Sequence, residues 1–440
     1  MARIRPFSAY RYDLSRVHAA DVVTQPYDKI SPDMRQRYLA ASPYNLVRVI
    51  LGEKQESDNE RNNVYTRAAN YLEKWIEEGV LRADPESSIY AYTQQFNSPL
   101  GGGTFTRRSF IALGGLEEYD RRVVYRHEQT LSGPKLDRQA LLRATRTHFG
   151  LLFMLYSDPS QNVERELMAR AQNPVLEVTD EYGTLHRLFR QTDAGVVERL
   201  QRAMAPLPLV IADGHHRYET ALAWRAEQNA QAPHRPDHPW DWTMMAFVNL
   251  DAPGLVVLPT HRLIYGLTNW NGATAVAKLR QYFDTTDTGI ATGDEKAAER
   301  LRPLLEQAAA HGPTLAASLD GHKQILLLRP KPGLDLPALL PGTLPEQRAL
   351  DVVLLHRLGL DLALEVTPEM VRAEQHLRYV KEAGEALHSV SVRAAQAAFL
   401  LHPVAATQVR DIALAGGVMP QKSTDFFPKL LTGLTLQRVD

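Results

Sequence analysis

The hydrophobic pattern of the N-terminal half predicts both helices and strands. Apolar residues recur every three or four positions from Val64 to Ile76, and Gly79 stands where such a helix is expected to stop. Segments 88–96 and 104–113 have strand character and are joined by the glycine-rich loop 97–103, which predicts a hairpin. The pattern therefore favours a mixed α+β fold over an all-α or all-β one.

A continuous apolar run, Leu207–Ala212, predicts a buried strand that passes through five polar residues into the helix-forming run Glu219–Gln228. The five residues are Asp213, Gly214, His215, His216 and Arg217. A strand that runs directly into a helix leaves the first helical N–H groups without intrahelical partners, and such groups attract anions. We interpret the turn as a site for phosphate, or for a metal–phosphate complex, beside a carboxylate. A polar surface turn is the alternative.

The C-terminal half repeats the mixture of helices and strands. Its predicted elements are helices at 273–283, 294–310 and 346–358, a hairpin turning at Asp320–Gly321, a strand at 397–401, and a helix from Thr407 to Gly416. We therefore divide the chain into an N-terminal α+β part (1–265) that carries the polar turn, an inserted or supporting α+β subdomain (266–340), and a C-terminal part (341–440) that completes the site.

Composition narrows the class of protein. The chain has 440 residues, and its 50 basic and 51 acidic residues give no global field for nucleic acid or an anionic membrane. The longest apolar run, Phe149–Tyr156, suits a buried strand and is too short to span a bilayer. The first residues lack the apolar core of a signal peptide, so we expect a cytoplasmic protein. The absence of cysteine excludes disulfides, thiolate nucleophiles and cysteine-ligated metals.

A second polar cluster spans Arg126–Arg138. Its chemically capable residues are His127, Glu128, Thr130, Lys135, Asp137 and Arg138. A carboxylate next to a histidine is suited to general-base chemistry or to holding Mg²⁺, and Lys135 and Arg138 are suited to pairing with phosphate oxygens. A charged helix face with local ion pairs explains the same spacing equally well.

A third cluster follows the glycine pair Gly416–Gly417. Lys422, Ser423, Thr424 and Lys429 supply side-chain donors that could wrap an anion together with the backbone of the loop. An ordinary helix stop followed by a polar loop is the alternative. We expect the three clusters to converge on one cleft.

Several common motifs for nucleotide binding, hydrolysis and zinc binding are absent from the sequence. It has no Gly-x-x-x-x-Gly-Lys-Ser/Thr loop, no Gly-x-Gly-x-x-Gly loop and no Gly-x-Ser-x-Gly elbow, which disfavours standard P-loop, Rossmann and hydrolase mechanisms. No His-x-x-x-His pair appears on a predicted helix, and the adjacent His215 and His216 point in different directions, which disfavours a zinc site.

Ordered motifs along the chain resemble those of domain-of-unknown-function family 1015. The motifs are Val23–Ser31, Ser42–Asn45, His127–Arg138, Ala212–Ala221, Met419–Thr424 and Phe427–Lys429. They occur in this order and extend over nearly the whole chain. The resemblance identifies the chain as a member of that family but implies no settled activity.

The Asp213–Arg217 box is also similar to the phosphate-binding box of the ParB/sulfiredoxin-like superfamily. Free-serine kinases in that superfamily carry a closely similar box and move a phosphoryl group onto an amino-acid hydroxyl. The resemblance implies a mixed sheet with flanking helices, a ParB/sulfiredoxin-like nucleotide-binding core, and ATP (or ADP) with Mg²⁺ as cofactors. It implies an ATP-dependent kinase acting on a small hydroxylated metabolite, with free L-serine as the first candidate.

Roles for the polar residues follow from this reading. Catalytic roles are assigned to Glu128, Asp213, His127 and His216, with Asp213 or Glu128 holding Mg²⁺ or taking the hydroxyl proton. Phosphate binding is assigned to Gly214, His215, Arg217, Lys135, Arg138, Lys422, Ser423, Thr424 and Lys429. Two alternatives stay open: a nucleotide-sensing, ParB-like protein without turnover, and a metal-dependent hydrolase using His127, Glu128, Asp213 and His215. The acceptor, the nucleotide, the general base and assembly into a homo-oligomer also stay open.

Overall fold

The computed structural model describes residues 1–128, 133–169, 171–231 and 237–440. Thr130 and residues 232–236 of the predicted surface loop lie outside the described residues. None of the helices in the described ranges combines the length and the apolar character needed to cross a lipid bilayer.

The strands, numbered in chain order, are β1 (Ile4–Arg5), β2 (Tyr10–Tyr12), β3 (Leu81–Ala83), β4 (Ile89–Asn97), β5 (Thr104–Gly115), β6 (Val124–Tyr125), β7 (Thr147–His148), β8 (Leu152–Tyr156), β9 (Leu176–Thr179), β10 (Leu185–Gln191), β11 (Leu209–Asp213), β12 (Trp242–Asn249), β13 (Val256–Leu258), β14 (His261–Ile264), β15 (Phe283–Ala291), β16 (Leu315–Leu319), β17 (Gln324–Pro330), β18 (Leu377–Val380), β19 (Ala397–Leu401), β20 (Asp425–Phe427) and β21 (Gln437–Arg438).

The helices are α1 (Ala19–Val22), α2 (Pro32–Ala41), α3 (Val47–Ile50), α4 (Val64–Glu77), α5 (Gly133–Thr145), α6 (Asn162–Met168), α7 (Ala194–Met204), α8 (His215–Asn229), α9 (Gly272–Leu279), α10 (Ala297–Ala309), α11 (Leu336–Leu339), α12 (Pro345–Arg348), α13 (Asp351–Leu354), α14 (Pro368–Arg372), α15 (Ala383–Ser391) and α16 (Ala406–Leu414). A π-helix, Leu355–Ala363, follows α13 directly.

The chain forms two compact units. The first consists of Met1–Arg126, Thr130–Val256 and Pro428–Asp440. Its described strands form a mixed sheet in the order β6-β11-β8-β12-β5-β4-β10-β9, with β1 paired to β5. Strands β8 and β12 are parallel and buried along their whole length. Strands buried on both faces read as continuous apolar runs, which explains their sequences.

The second unit consists of His127–Gln129 and Val257–Phe427. Its described residues form a six-stranded sheet in the order β15-β17-β16-β19-β14-β18, in which all pairings are antiparallel. Strand β19 lies between β16 and β14 at the centre of this sheet, and its sequence, Ala397–Leu401, is fully buried.

Most of the predicted elements are confirmed. These are helix α4, the β4–β5 hairpin, the β11-to-α8 connection, the hairpin turning at Asp320–Gly321, and strand β19. The α+β architecture with a mixed sheet and flanking helices is therefore confirmed.

Two predicted helices are wrong in part. The helix predicted to run to Phe283 ends at Leu279, and Phe283 begins strand β15. Between its two buried residues, Phe283 and Ile290, this strand is exposed or half-buried and mostly polar, so its sequence lacks the alternation of apolar and polar residues that predicts a strand. The helix predicted at 346–358 is broken after Arg348, resumes at Asp351 and continues as the π-helix.

The predicted boundaries at 265 and 340 differ from those of the compact units. Strands β15, β16 and β17 belong to the same sheet as β19, because β16 pairs with β19 along its whole length. The segment 266–340 is thus continuous with later residues through backbone hydrogen bonds. Residues Pro428–Asp440 return to the first unit.

Candidate functional site

Strand β11 passes into helix α8 through Gly214, whose backbone is left-handed with φ of 97°. A Cβ atom there would lie 3.0 Å from Leu152 Cδ2 and 3.1 Å from the Arg217 Cζ atom. Glycine is therefore required both by the backbone and by the close approach of these side chains. As the N-cap of a long helix, Gly214 offers no side-chain acceptor to the first N–H groups of α8. The turn therefore has the backbone geometry of an anion site.

Two cationic side chains contact the carboxylate of Asp213. Lys429 Nζ lies 2.9 Å from Oδ2, and Arg217 Nη2 lies 3.5 Å from Oδ1. Burial alone would raise the pKa of Asp213, but Lys429 and Arg217, with a further contribution from Lys29, hold it well below its ordinary value. Asp213 is therefore a permanent anion that fixes two cations at the start of α8.

Arg217 is fixed by the segment that leads into strand β8. Its Nη1 atom donates a hydrogen bond to the Leu151 carbonyl oxygen. A Cβ atom on Gly150 would lie 3.1 Å from the same Nη1 atom. Because Gly150 has no side chain, the guanidinium group can lie against its backbone. Arg217 is thereby oriented by the strand as well as by Asp213.

Lys429 is held in place through its backbone by two buried side chains of the β4–β5 hairpin. Gln94 Nε2 donates to the Lys429 carbonyl oxygen at 2.9 Å, and Arg107 donates to the Pro428 carbonyl oxygen. Arg107 Nε also donates to Gln94 Oε1 at 3.0 Å, and its guanidinium carbon lies 4.8 Å from the centroid of the Phe153 ring. Burial lowers the pKa of Arg107 to about 10, so it remains charged at neutral pH. Arg107 and Gln94 are positioning residues for Lys429.

A cavity of about 60 Å³ lies beside Arg217 in the first unit. Arg138 also lines it, and its guanidinium carbon lies 4.2 Å from the centroid of the Tyr27 ring, while Nη1 donates to the Ile50 carbonyl oxygen at 2.9 Å. Burial lowers the pKa of His148 to about 4, so this lining residue is neutral at pH 7. Threonine hydroxyls complete the polar lining: Thr147, Thr220, Thr243 and Thr432. A cavity of this size and polarity holds a few water molecules.

The other predicted residues of the first unit have local partners. Lys135, on α5, lies 3.6 Å from Glu219 Oε2 on α8. His215 is buried at the start of α8, and the His216 carbonyl oxygen accepts a hydrogen bond from Thr220 Oγ1 at 2.7 Å. Lys135 and Arg138 both lie on helix α5, which agrees with the alternative of a charged helix face. Arg138 nevertheless lines the same cavity as Arg217.

The remaining predicted residues form a cluster in the second unit. His127 is fully buried, and its Nε2 atom lies 2.9 Å from Thr424 Oγ1. Glu128 Oε1 accepts a hydrogen bond from the Lys422 N–H at 3.1 Å. Ser423 Oγ donates to the Pro420 carbonyl oxygen at 2.5 Å. The structure thus brings the 127–128 segment and the 422–424 segment together, although nearly three hundred positions separate them along the chain.

The expectation that the three clusters share one cleft stays a prediction. Asp213, Arg217 and Lys429 belong to the first unit, and His127, Glu128 and Lys422–Thr424 belong to the second. Within the described ranges, no group of three or more histidine, aspartate or glutamate side chains could hold a metal ion.

Sequence reasoning missed the residues that support the site. Arg107 and Gln94 lie on strands of the predicted hairpin, where the pattern indicated only packing. The adjacent arginines Arg107 and Arg108 were the available signal, since a charged residue on the buried face of a strand requires a partner. His148 and Gly150 follow helix α5 and carry no recognisable motif.

Comparisons with solved structures find weak similarities. A conserved hypothetical protein from Pyrococcus furiosus is 13% identical with a TM-score of 0.32, covering 70% of this chain and 89% of that chain. Free serine kinase in complex with AMP is 12% identical with a TM-score of 0.34, covering 69% of this chain and 83% of that chain. SbnI with a C-terminal truncation, from Staphylococcus aureus, is 9% identical with a TM-score of 0.32, covering 73% and 85%. TM-scores this low do not support an inference about activity.

Sequence comparison establishes the family to which this chain belongs. A search of curated proteins finds no match to this chain. The profile of a family described as protein of unknown function (DUF1015) matches residues 4–353. This range includes the polar turn at Asp213–Arg217 and most of the ordered motifs. On that match, the chain belongs to the DUF1015 family.

Proposed function

We propose that this protein binds the phosphate groups of ATP or ADP at the Asp213–Arg217 turn and transfers phosphate from ATP to the hydroxyl group of a small metabolite. One observation carries the proposal: Lys429 and Arg217 both contact the carboxylate of Asp213 at the first residues of helix α8. Two cations and a helix N-terminus in one place form a site for a polyanion.

The arrangement suits phosphoryl transfer because that reaction depends on positioning and on charge neutralisation more than on covalent chemistry. Asp213 keeps Lys429 and Arg217 together in the absence of phosphate. Phosphate oxygens offer the same two cations a ligand of higher charge. Lys429 is the more adaptable of the two, since its ammonium group lies at the end of a flexible stem.

Mg²⁺ fits this turn most simply through the nucleotide. Both oxygens of Asp213 have a cationic partner, so this carboxylate would have to release one of them before it could bind a metal ion. Mg²⁺ is commonly held by one or two carboxylates with substrate phosphates and water. When bound to the phosphates, Mg²⁺ would neutralise part of their charge. The assignments of Asp213 and Glu128 as metal ligands stay predictions.

The general base also stays a prediction. Asp213 is a poor base because its lowered pKa means that the carboxylate binds a proton only weakly. Glu128, His127 and His216 were assigned to catalysis from the sequence. Replacing Glu128 with Gln tests the first of these: turnover should fall by orders of magnitude while ATP still binds.

The reaction is tested by incubating the purified protein with ATP, Mg²⁺ and a panel of hydroxylated amino acids and small polyols. We expect one phosphorylated product, detected by mass spectrometry and ³¹P NMR. Free L-serine enters the panel first because of the resemblance of the Asp213–Arg217 box to that of free-serine kinases. The Lys429→Met variant should form no product, whereas the exposed Lys74→Met variant on α4 should behave as the unmodified protein.

A nucleotide-sensing protein without turnover is the second candidate, because the anion site itself requires no general base. It is favoured if ATP binds at the turn but persists unchanged with every acceptor. The kinase proposal is rejected by that result. If neither ATP nor ADP binds, both candidates are rejected.

A further inference from the structure

A second, larger cavity lies within the second unit. Its volume is about 490 Å³, and it lies between the π-helix Leu355–Ala363 and the loop Val418–Gln421. Small-molecule sites occupy roughly 300–1,000 Å³ and are lined mainly by apolar side chains. Most of this lining is apolar, including Leu340, Val353 and Met419. The volume and lining are therefore those of a small-molecule site.

The loop that forms one wall is held rigidly by buried polar side chains. Arg262 Nη2 lies 3.2 Å from the carbonyl oxygens of both Gln421 and Lys422. Gln347 Nε2 donates to the Val418 carbonyl oxygen at 2.6 Å. Arg262 is fully buried, and Gln347 is nearly so. The cavity is thus preformed on this side, which lowers the entropy cost of binding a ligand.

The opposite wall is a π-helix, an uncommon element that occurs frequently at functional sites. His356 lies on it and lines the cavity. Arg262 Nε lies 3.2 Å from His356 Nε2. A guanidinium N–H always donates, so Nε2 accepts and the ring proton is on Nδ1. Burial and the nearby Arg262 hold the pKa of His356 well below its ordinary value, which agrees with a neutral ring.

His356 therefore presents one donor whose position is fixed. Within the described part of the chain, its Nδ1 atom has no hydrogen-bond acceptor. The ionised side chains of the lining are Arg357, Arg372 and Asp361, two cations and one anion. Asp361 is paired with Arg357, and Arg372, more than half exposed, is paired with Glu369, so both arginines of the lining already have an acidic partner. The cation behind the donor is Arg262, which is fully buried and donates to the same ring. A donor polarised by a buried cation, in an apolar cavity, favours an anionic acceptor on an apolar body.

We propose that this cavity binds a small organic monocarboxylate with a hydrocarbon body, whose carboxylate accepts a hydrogen bond from His356 Nδ1–H. The proposal is independent of the function proposed for the Asp213–Arg217 turn. The hydrocarbon body would contact the apolar lining.

The test compares acids with their uncharged amides. The probes are 3-phenylpropanoate and 4-methylpentanoate with their primary amides, titrated into the full chain and followed by ligand-observed NMR and by calorimetry. We expect each acid to bind at least tenfold more tightly than its amide. The acids should also raise the melting temperature, because a ligand that binds only the native state stabilises it.

The His356→Gln variant removes the ring donor while leaving a side-chain oxygen to accept from Arg262. It should weaken binding of the acids at least tenfold without lowering the melting temperature of the free protein by more than a few degrees. Should it fail to fold, the comparison of each acid with its amide in the unmodified protein supplies the second test. The His388→Gln variant on the surface of α15 is the matched control and should bind as the unmodified protein. Equal binding of acid and amide, unchanged binding by His356→Gln, or no binding of either acid at millimolar concentration overturns the proposal.

Discussion

Lys429 Nζ lies 2.9 Å from Asp213 Oδ2, although 216 positions separate the two residues in the chain. The contact joins the C-terminal segment of the first unit to the end of strand β11, directly before helix α8. It converts a polar turn into a site with two fixed cations, since Arg217 contacts the other carboxylate oxygen. The functional proposal for this protein rests on that geometry.

Replacing Asp213 with Asn is expected to destabilise the protein. The substitution leaves Lys429 and Arg217 near one another without a counter-charge in a partly buried place. We expect the free energy of unfolding to fall by about 1–3 kcal/mol, as for loss of a hydrogen-bonded charged group that is not fully buried. Urea unfolding monitored by circular dichroism measures the change. The exposed Asp284→Asn variant on β15 should differ from the unmodified protein by less than about 0.5 kcal/mol.

The contribution of Asp213 to stability should depend on pH in one direction. Because its folded pKa is depressed, the unfolded chain takes up the proton first as the pH falls. Its contribution is therefore fully present above the ordinary carboxyl pKa of about 4 and is lost below it. The difference in unfolding free energy between the unmodified protein and Asp213→Asn should shrink as the pH is lowered from 6 to 3. A difference that grows over this range contradicts the ion-pair assignment.

His148 should destabilise the folded protein in mild acid. Its pKa is lowered by burial from 6.5 to about 4, so the unfolded chain binds a proton between these values and the folded protein does not. The free energy of unfolding should have its full value above pH 6.5 and should fall by up to roughly 3 kcal/mol as the pH approaches 4. Unfolding curves at several pH values measure the slope, and His148→Asn should remove this part of it. An imidazole NMR titration near 6.5 in the folded protein would show that His148 is not buried.

Arg107 is expected to affect nucleotide binding only through Lys429. The Arg107→Lys variant keeps the charge but cannot donate to both Gln94 and the Pro428 carbonyl oxygen with the geometry of a guanidinium group. We expect it to weaken ATP binding at least threefold. In combination with Lys429→Met it should have little further effect, because positioning is irrelevant once the ammonium group is absent. Additive effects in this double-mutant cycle, measured as ATP affinities, would assign Arg107 a different role.

Local patterns were sufficient to predict the β11–turn–α8 connection. An apolar run, a glycine and a helix-forming segment are contiguous in the sequence, so their structure is decided by neighbouring residues. The hairpin β4–β5 was predictable for the same reason. The contact of Thr424 with His127 was not predicted, because periodicity alone gives no reason for it.

Long-range and unusual elements were not predictable from local patterns. The return of Lys429 to Asp213 depends on the backbone contacts of Arg107 and Gln94, which no spacing rule encodes. The π-helix Leu355–Ala363 has the same apolar periodicity as an α-helix over a short window. The role of His356 depends on a tautomer fixed by Arg262, which lies on strand β14, 94 positions earlier in the chain.

The most direct test of the central claim is calorimetric titration of ATP with Mg²⁺ into the unmodified protein and into Lys429→Met. We predict binding at one site per chain and a loss of affinity of at least tenfold in the variant, which corresponds to about 1.4 kcal/mol. The exposed Lys74→Met variant should bind as the unmodified protein. Absence of ATP binding in the unmodified protein, or equal affinity in Lys429→Met, would contradict the assignment of this turn as a phosphate site.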